Sequence, residues 1–181
     1  TDDYVSVIEG NWLSVQDYVL TVVLLICATT DVISKKIYNV VLMPALLFAI
    51  GYNWFQGGWP GLGQSLLGLL VGLLILILPF AKGGIGAGDV KLLGVVGAFK
   101  GVMFVFYAAI GMGLAGGLMA LGFWFYRFGV IDTIFDLVKG VYIMVRSGFT
   151  LFPFRLFNEK IMLPYGVAIA LGAAGTLWLM R

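Results

Sequence analysis

Asp31 and Asp89 are the acidic residues whose setting could do chemistry. The first lies in Asp-Val-Ile-Ser-Lys-Lys-Ile-Tyr-Asn and the second directly behind Gly86-Ala87-Gly88, each at the edge of a long apolar run. A carboxyl group at the margin of a hydrocarbon layer is costly, and so marks a functional position with a partner to be named. Two carboxyls brought close cannot both ionise cheaply. One keeps its proton and the other does not, which supplies a general acid and a general base around a shared water. The chain has no histidine, which excludes Ser-His and Cys-His catalysis and every His-based metal site. Its one cysteine, Cys27, lies within an apolar run and reads as a small packing residue. Paired carboxylates that activate water require neither metal nor cofactor, and none is expected.

The elements that must position these groups follow from composition. With 61% hydrophobic and 11% charged residues, the chain reads as an all-α integral membrane protein forming one domain over residues 1–181. Its net charge of +2 is too small to suggest nucleic acid as a partner. A helix needs about 20 apolar residues to cross the hydrocarbon core. Candidate spans are 16–34, 39–56, 62–81, 89–99, 101–126 and 161–180, about six transmembrane helices, with a break at Lys100-Gly101 because the run from Asp89 is too long for one crossing. The 89–99 span is short, and is tolerable only if protein shields it or it ends at water. Residues 1–15 begin with Thr1 rather than Met, as after trimming, and read as a polar extracytoplasmic segment rather than a signal peptide. With that end outside, only Lys100 and Arg181 of the 11 basic residues fall outside, as the positive-inside rule requires. Over 130–149, Asp132, Asp136, Lys139 and Arg146 share one helical face while Ile131, Ile134, Phe135, Val138, Tyr142 and Val145 fill the other, predicting an amphipathic helix in the inner interface. Gly68 and Gly72, and Gly113 and Gly117, have the spacing that lets helices approach closely.

This topology sorts the nine carboxylates. Asp2, Asp3, Glu9 and Asp17 belong outside, Asp132 and Asp136 to the interfacial helix, and Glu159 to the loop before the last span. Asp31 and Asp89 remain, at one depth on the inner side. Each has a simpler reading: Asp89 suits a helix start, and Asp31 could be neutralised by Lys35 one turn on. Capping alone leaves the glycines unexplained, and a dyad accounts for both residues together. A nucleotide-binding G-x-G-x-x-G would need glycine where Asp89 stands. Gly86 and Gly88 instead allow positive φ and remove side chains, leaving room for an extended substrate backbone. Lys91 points about 200° away from Asp89 on a helix and reads as an interface anchor. Lys35 and Lys36 hold the register of the first span or meet lipid phosphates. Pro164-Tyr165-Gly166 is either a helix start or a flexible wall of the substrate cleft.

These residues resemble a known family. Gly86-Ala87-Gly88-Asp89 matches the G-x-G-D signature of intramembrane aspartyl proteases, and Val90 to Gly94 resembles its continuation in type IV prepilin peptidases. Residues 31–39 resemble that family's first aspartate motif, with Tyr38 in place of the usual proline, and Met162 to Ala168 resembles its last recurring block. The resemblance, over about residues 16–180, implies an aspartic endopeptidase with Asp31 and Asp89 catalytic. Gly86, Gly88, Pro164, Tyr165 and Gly166 would contact substrate, with Lys35, Lys36 and Lys91 in support. The implied substrate is a type IV pilin-like precursor, cut after its short basic leader at the cytoplasmic face of the cell membrane. Long members carry a cysteine-rich insertion and N-methylate the product. This chain resembles the short form without it, of the tight-adherence pilus branch or an archaeal preflagellin type, and methyltransfer is not expected. Competing readings are a carboxylate-based proton or cation carrier and a non-catalytic pilus-assembly subunit.

Overall fold

A computed structural model describes residues 14–128, 138, 139, 142, 146 and 165–180. The expected N-terminal segment therefore lies outside the described residues up to Leu13. So does the expected 130–149 helix, apart from four helical residues, of which Arg146 donates to the Tyr142 hydroxyl at 3.2 Å. Among the described residues four helices have defined bounds: α1 (Val15–Ser34), α2 (Asn39–Ala81), α3 (Ala87–Phe128) and α4 (Tyr165–Leu179). The first three are long and apolar enough to cross a membrane. Large apolar side chains such as Ile33, Val40, Leu47 and Leu74 are exposed along α1 and α2, a surface suited to lipid rather than water. The chain is a helical membrane protein.

α1 starts with a capping box. The Ser14 hydroxyl accepts from the Asp17 amide, and the Asp17 carboxylate accepts from the Ser14 amide at 2.9 Å. It stops one turn beyond Asp31, where Lys35 turns left-handed at φ 50° and donates its amide to the Asp31 carbonyl. Between these ends Leu20, Leu24, Cys27 and Asp31 form its buried face at helical spacing.

Among the described residues these four helices stand where about six spans are expected, because two pairs of expected spans run on as single elements, each interrupted by one glycine. α2 has 43 residues, roughly 65 Å if straight, about twice the hydrocarbon thickness. Gly58, at φ 56° and ψ −140°, breaks it. A Cβ on Gly61 would run into the Asn53 carbonyl oxygen, a contact a straight helix cannot make across eight residues, so the chain folds back on itself here. Pro60 occupies the opening turn of the second half, where its missing N–H costs nothing. α3 breaks at Gly101, φ 82° and ψ −174°, at the Lys100-Gly101 step expected from length. α4 covers most of the expected 161–180 span, whose residues 161–164 lie outside the described residues.

The first half of α3 is central: Leu92, Leu93, Val95, Val96, Ala98 and Phe99 are all buried, so protein shields the helix too short to span alone. Gly68 and Gly72 carry α2 onto it, backbone against backbone at Gly97 and at Leu93-Gly94, where a Cβ would overlap. Gly113 and Gly117 meet nothing within 4 Å, so their identical spacing serves no packing among the described residues. Gly172 of α4 lies equally close to Ala108 and Met112 of α3. All these contacts belong to one compact unit, Thr1–Leu114 with Pro164–Arg181; Ala115–Leu163 forms a second.

Candidate active site

The last turn of α1 carries Asp31 and the first turn of α3 carries Asp89, 7% and 8% exposed. Both line one cavity of about 360 Å³, together with the α1–α2 loop from Lys35 to Asn39 and the Gly86-Ala87-Gly88 approach to α3. Two carboxylates remote in sequence thus line one cavity.

Each is held differently. Oδ2 of Asp31 accepts a 2.7 Å hydrogen bond from the backbone amide of Gly166, in the opening turn of α4. A Cβ at Gly166 would sit 2.8 Å from that same oxygen, so the approach depends on glycine. Amides at a helix start have no helical acceptor, and a carboxylate is their natural partner. Oδ2 of Asp89 accepts from the Gly86 amide at 3.2 Å, the side-chain half of a capping box three residues into α3. The capping role read from the sequence is therefore present, and it occupies one oxygen only. Oδ1 of Asp89 is buried and has no hydrogen-bond partner among the described residues. A buried polar atom left unmatched invites a functional explanation.

The glycines do not sit as expected. Neither Gly86 nor Gly88 has positive φ; in this stretch only Gly83 does, at 75°. The space beside Gly88 is taken by Ile37, whose Cβ lies 2.9 Å from where a Cβ on residue 88 would be. Gly86 lies against the Asp89 carboxylate, 3.1 Å from its own notional Cβ. Both glycines thus permit close packing within the chain. Lys91 does not approach Asp89 and instead donates to the Asn39 side chain at 3.1 Å, tying the first turn of α3 to the first turn of α2. Lys35 and Lys36 line the cavity and are exposed. Tyr165 is half-buried beside Gly166, and Pro164 lies outside the described residues. Ile37, Tyr38 and Asn39 also line the cavity. Ile37 and Asn39 are contributors the sequence reading assigned no role, though both stand within the motif that starts at Asp31.

Fold and site together define a polytopic helical membrane protein that brings two buried aspartates to one cavity between helix ends. The family model of the type IV leader peptidase family matches residues 18–135, and the chain belongs to that family, which makes it a peptidase by class. Both aspartates fall inside the matched stretch; Gly166 lies beyond it. Searches of curated proteins and of solved structures gave no match.

Proposed function

We propose that the protein is an aspartic endopeptidase that removes the leader from type IV pilin-like precursors, with Asp31 and Asp89 as its catalytic pair. The observation that carries this reading is the meeting of the two carboxylates at one cavity, with Oδ1 of Asp89 buried and unmatched among the described residues. In the proposed reaction the ionised aspartate takes a proton from water as its oxygen attacks the scissile carbonyl carbon. The protonated partner stabilises the developing oxyanion and then passes its proton to the departing nitrogen as the C–N bond breaks. The peptide must be extended, since a helical peptide bond is shielded by its own hydrogen bonds. The exposed Lys35 and Lys36 give the cavity a basic margin that meets lipid phosphate.

In the membrane, the halves of α2 on either side of Gly58 and of α3 on either side of Gly101 are taken as separate crossings, making six with α1 and α4. The exposed Trp54, Phe55 and Trp59 beside the Gly58 turn suit a membrane–water boundary. With the basic residues of the opposite loops inside, the cavity opens to the cytoplasm of a cell membrane. The short chain is taken to act without methyltransfer.

The test is reconstitution in liposomes with a pilin-like precursor. The wild type releases the leader while Asp31→Asn and Asp89→Asn do not. A folded wild type that leaves the precursor intact, or variants that still cut it, would refute the reading. Proton or cation flux lost in the same variants would establish the carrier instead.

A further inference from the structure

The start of α1 and the far end of the first half of α3 are joined by a second, wholly different polar cluster. Asp17, 8% exposed at the start of α1, forms an ion pair with Lys100, which stands at the break in α3. Beside it, Gln16 donates to the Phe99 carbonyl at 2.6 Å and to the Asn53 side chain at 3.0 Å. Asn53 donates in turn to the Ala98 carbonyl at 2.8 Å, and Ser65 reaches the same carbonyl at 2.7 Å. The cause is local. The non-helical Gly101 deprives the carbonyls of residues 98 and 99 of their helical donors, and buried carbonyls must find others.

The geometry turns this repair into a constraint on the site. From Asp17 to Asp31 α1 rises roughly 21 Å, and from Lys100 back to Asp89 α3 runs roughly 17 Å, at about 1.5 Å per residue. Two antiparallel rods are thus pinned at one end by the ion pair and the Gln16 bond, and carry their aspartates to one cavity at the other. At the cavity end, no direct hydrogen bond joins Asp31 to Asp89 among the described residues.

We propose that Asp17, Lys100 and Gln16 are positioning residues: they clamp the register of α1 against α3 and thereby set the relative placement of Asp31 and Asp89. The role rests on the peptidase reading for its effect on rate, but not for its effect on structure. The test therefore reads both. In a Cys27→Ala background of the full chain, cysteines at the exposed Ile33 and Lys91 carry spin labels, and the distance between them is measured with and without Lys100→Met. Cleavage of a pilin-like precursor is measured on unlabelled Lys100→Met. Displacing reacting groups by about 1 Å can cost about 100-fold, so the expected result is a shifted or broadened label distance and a 10- to 100-fold fall in kcat with KM little changed, both reversed by Lys100→Arg.

Gln16→Leu, which leaves the ion pair intact, is the second variant and replaces Lys100→Met should that protein not fold; the same changes are expected on a smaller scale. An unchanged label distance overturns the clamp whatever the rate does. A changed distance with wild-type kcat overturns the positioning role. Should the wild type cleave no precursor, the peptidase reading fails, and the label distance alone then decides whether the clamp sets the helix register.

Discussion

The two ends of the α1–α3 pair treat their carboxylates in opposite ways. At the Asp17 end, one oxygen is paired with Lys100 and the other takes both the amide and the hydroxyl of Ser14. Even the carbonyls released by the helix break have side-chain donors. At the Asp31 and Asp89 end, two buried carboxylates receive one backbone amide each among the described residues, and the buried Oδ1 of Asp89 has no hydrogen-bond partner there. Neither arrangement suits the other's purpose. A saturated cluster resists change, whereas a reacting group must keep capacity free for water and substrate. On the proposed reading, stability is concentrated at one end and reactivity at the other, which is the separation expected when a functional site is held by a rigid frame.

The contrast should break most visibly at the Asp31 and Asp89 end. Asp31→Asn or Asp89→Asn removes an acid or base while preserving shape, and precursor cleavage should fall by at least about 10³-fold. Thermal unfolding in detergent should show no loss of stability in Asp89→Asn, because amide burial is less costly than that of a carboxylate. A large destabilisation would mean that Asp89 serves the fold and not the reaction. Next in size is Gly166→Ala, whose methyl would sit 2.8 Å from Oδ2 of Asp31. The carboxylate must shift or lose its amide partner, and a fall in kcat of about 10- to 100-fold is expected with the protein still folded. Unchanged kinetics would show that the bond from α4 does not hold Asp31 in its working position.

How much of this was legible in the sequence depends on whether the determining forces were local. Asp31 and Asp89 emerge from depth and elimination, because burying a carboxylate at a membrane margin is costly enough to be informative alone. The break at Gly101 follows from length, since no single helix of that extent fits a bilayer. The Gly166 bond to Asp31 leaves no such trace: it joins residues 135 positions apart, and a backbone amide has no side-chain signature. The paired glycines teach the same lesson, because Gly68 and Gly113 share a spacing but only Gly68 meets another backbone. Asp17 and Lys100 both read as outer residues, so their pairing was within reach. What hid the rest of the cluster is that Gln16, Asn53 and Ser65 are uncharged and scattered through apolar runs.

The stable end offers a smaller effect with the opposite signature. Asn53→Leu removes the donor to the Ala98 carbonyl and leaves Gln16 without its acceptor there, so unfolding free energy should fall by about 1–3 kcal/mol. Equilibrium unfolding in mixed detergent measures this. A neutral result would mean the outer cluster is no more a source of stability than the inner one, and the contrast between the two ends would collapse.

Ser65→Ala should be milder still. The Ala98 carbonyl keeps Asn53 at 2.8 Å when the Ser65 hydroxyl is removed, so one lone pair stays satisfied and the loss should be about 0.5–1.5 kcal/mol. In Asn53→Leu the same carbonyl keeps Ser65. Only the double variant leaves a buried carbonyl with neither donor, and its cost should exceed the sum of the two single losses by about 0.5–3 kcal/mol, since groups sharing one partner do not act independently. Simple additivity would mean that water reaches the break at Gly101 and replaces the missing donors. The outer end would then be hydrated rather than sealed, and the rigidity assigned to it would have to come from the Asp17–Lys100 pair and the Gln16 bond to the Phe99 carbonyl.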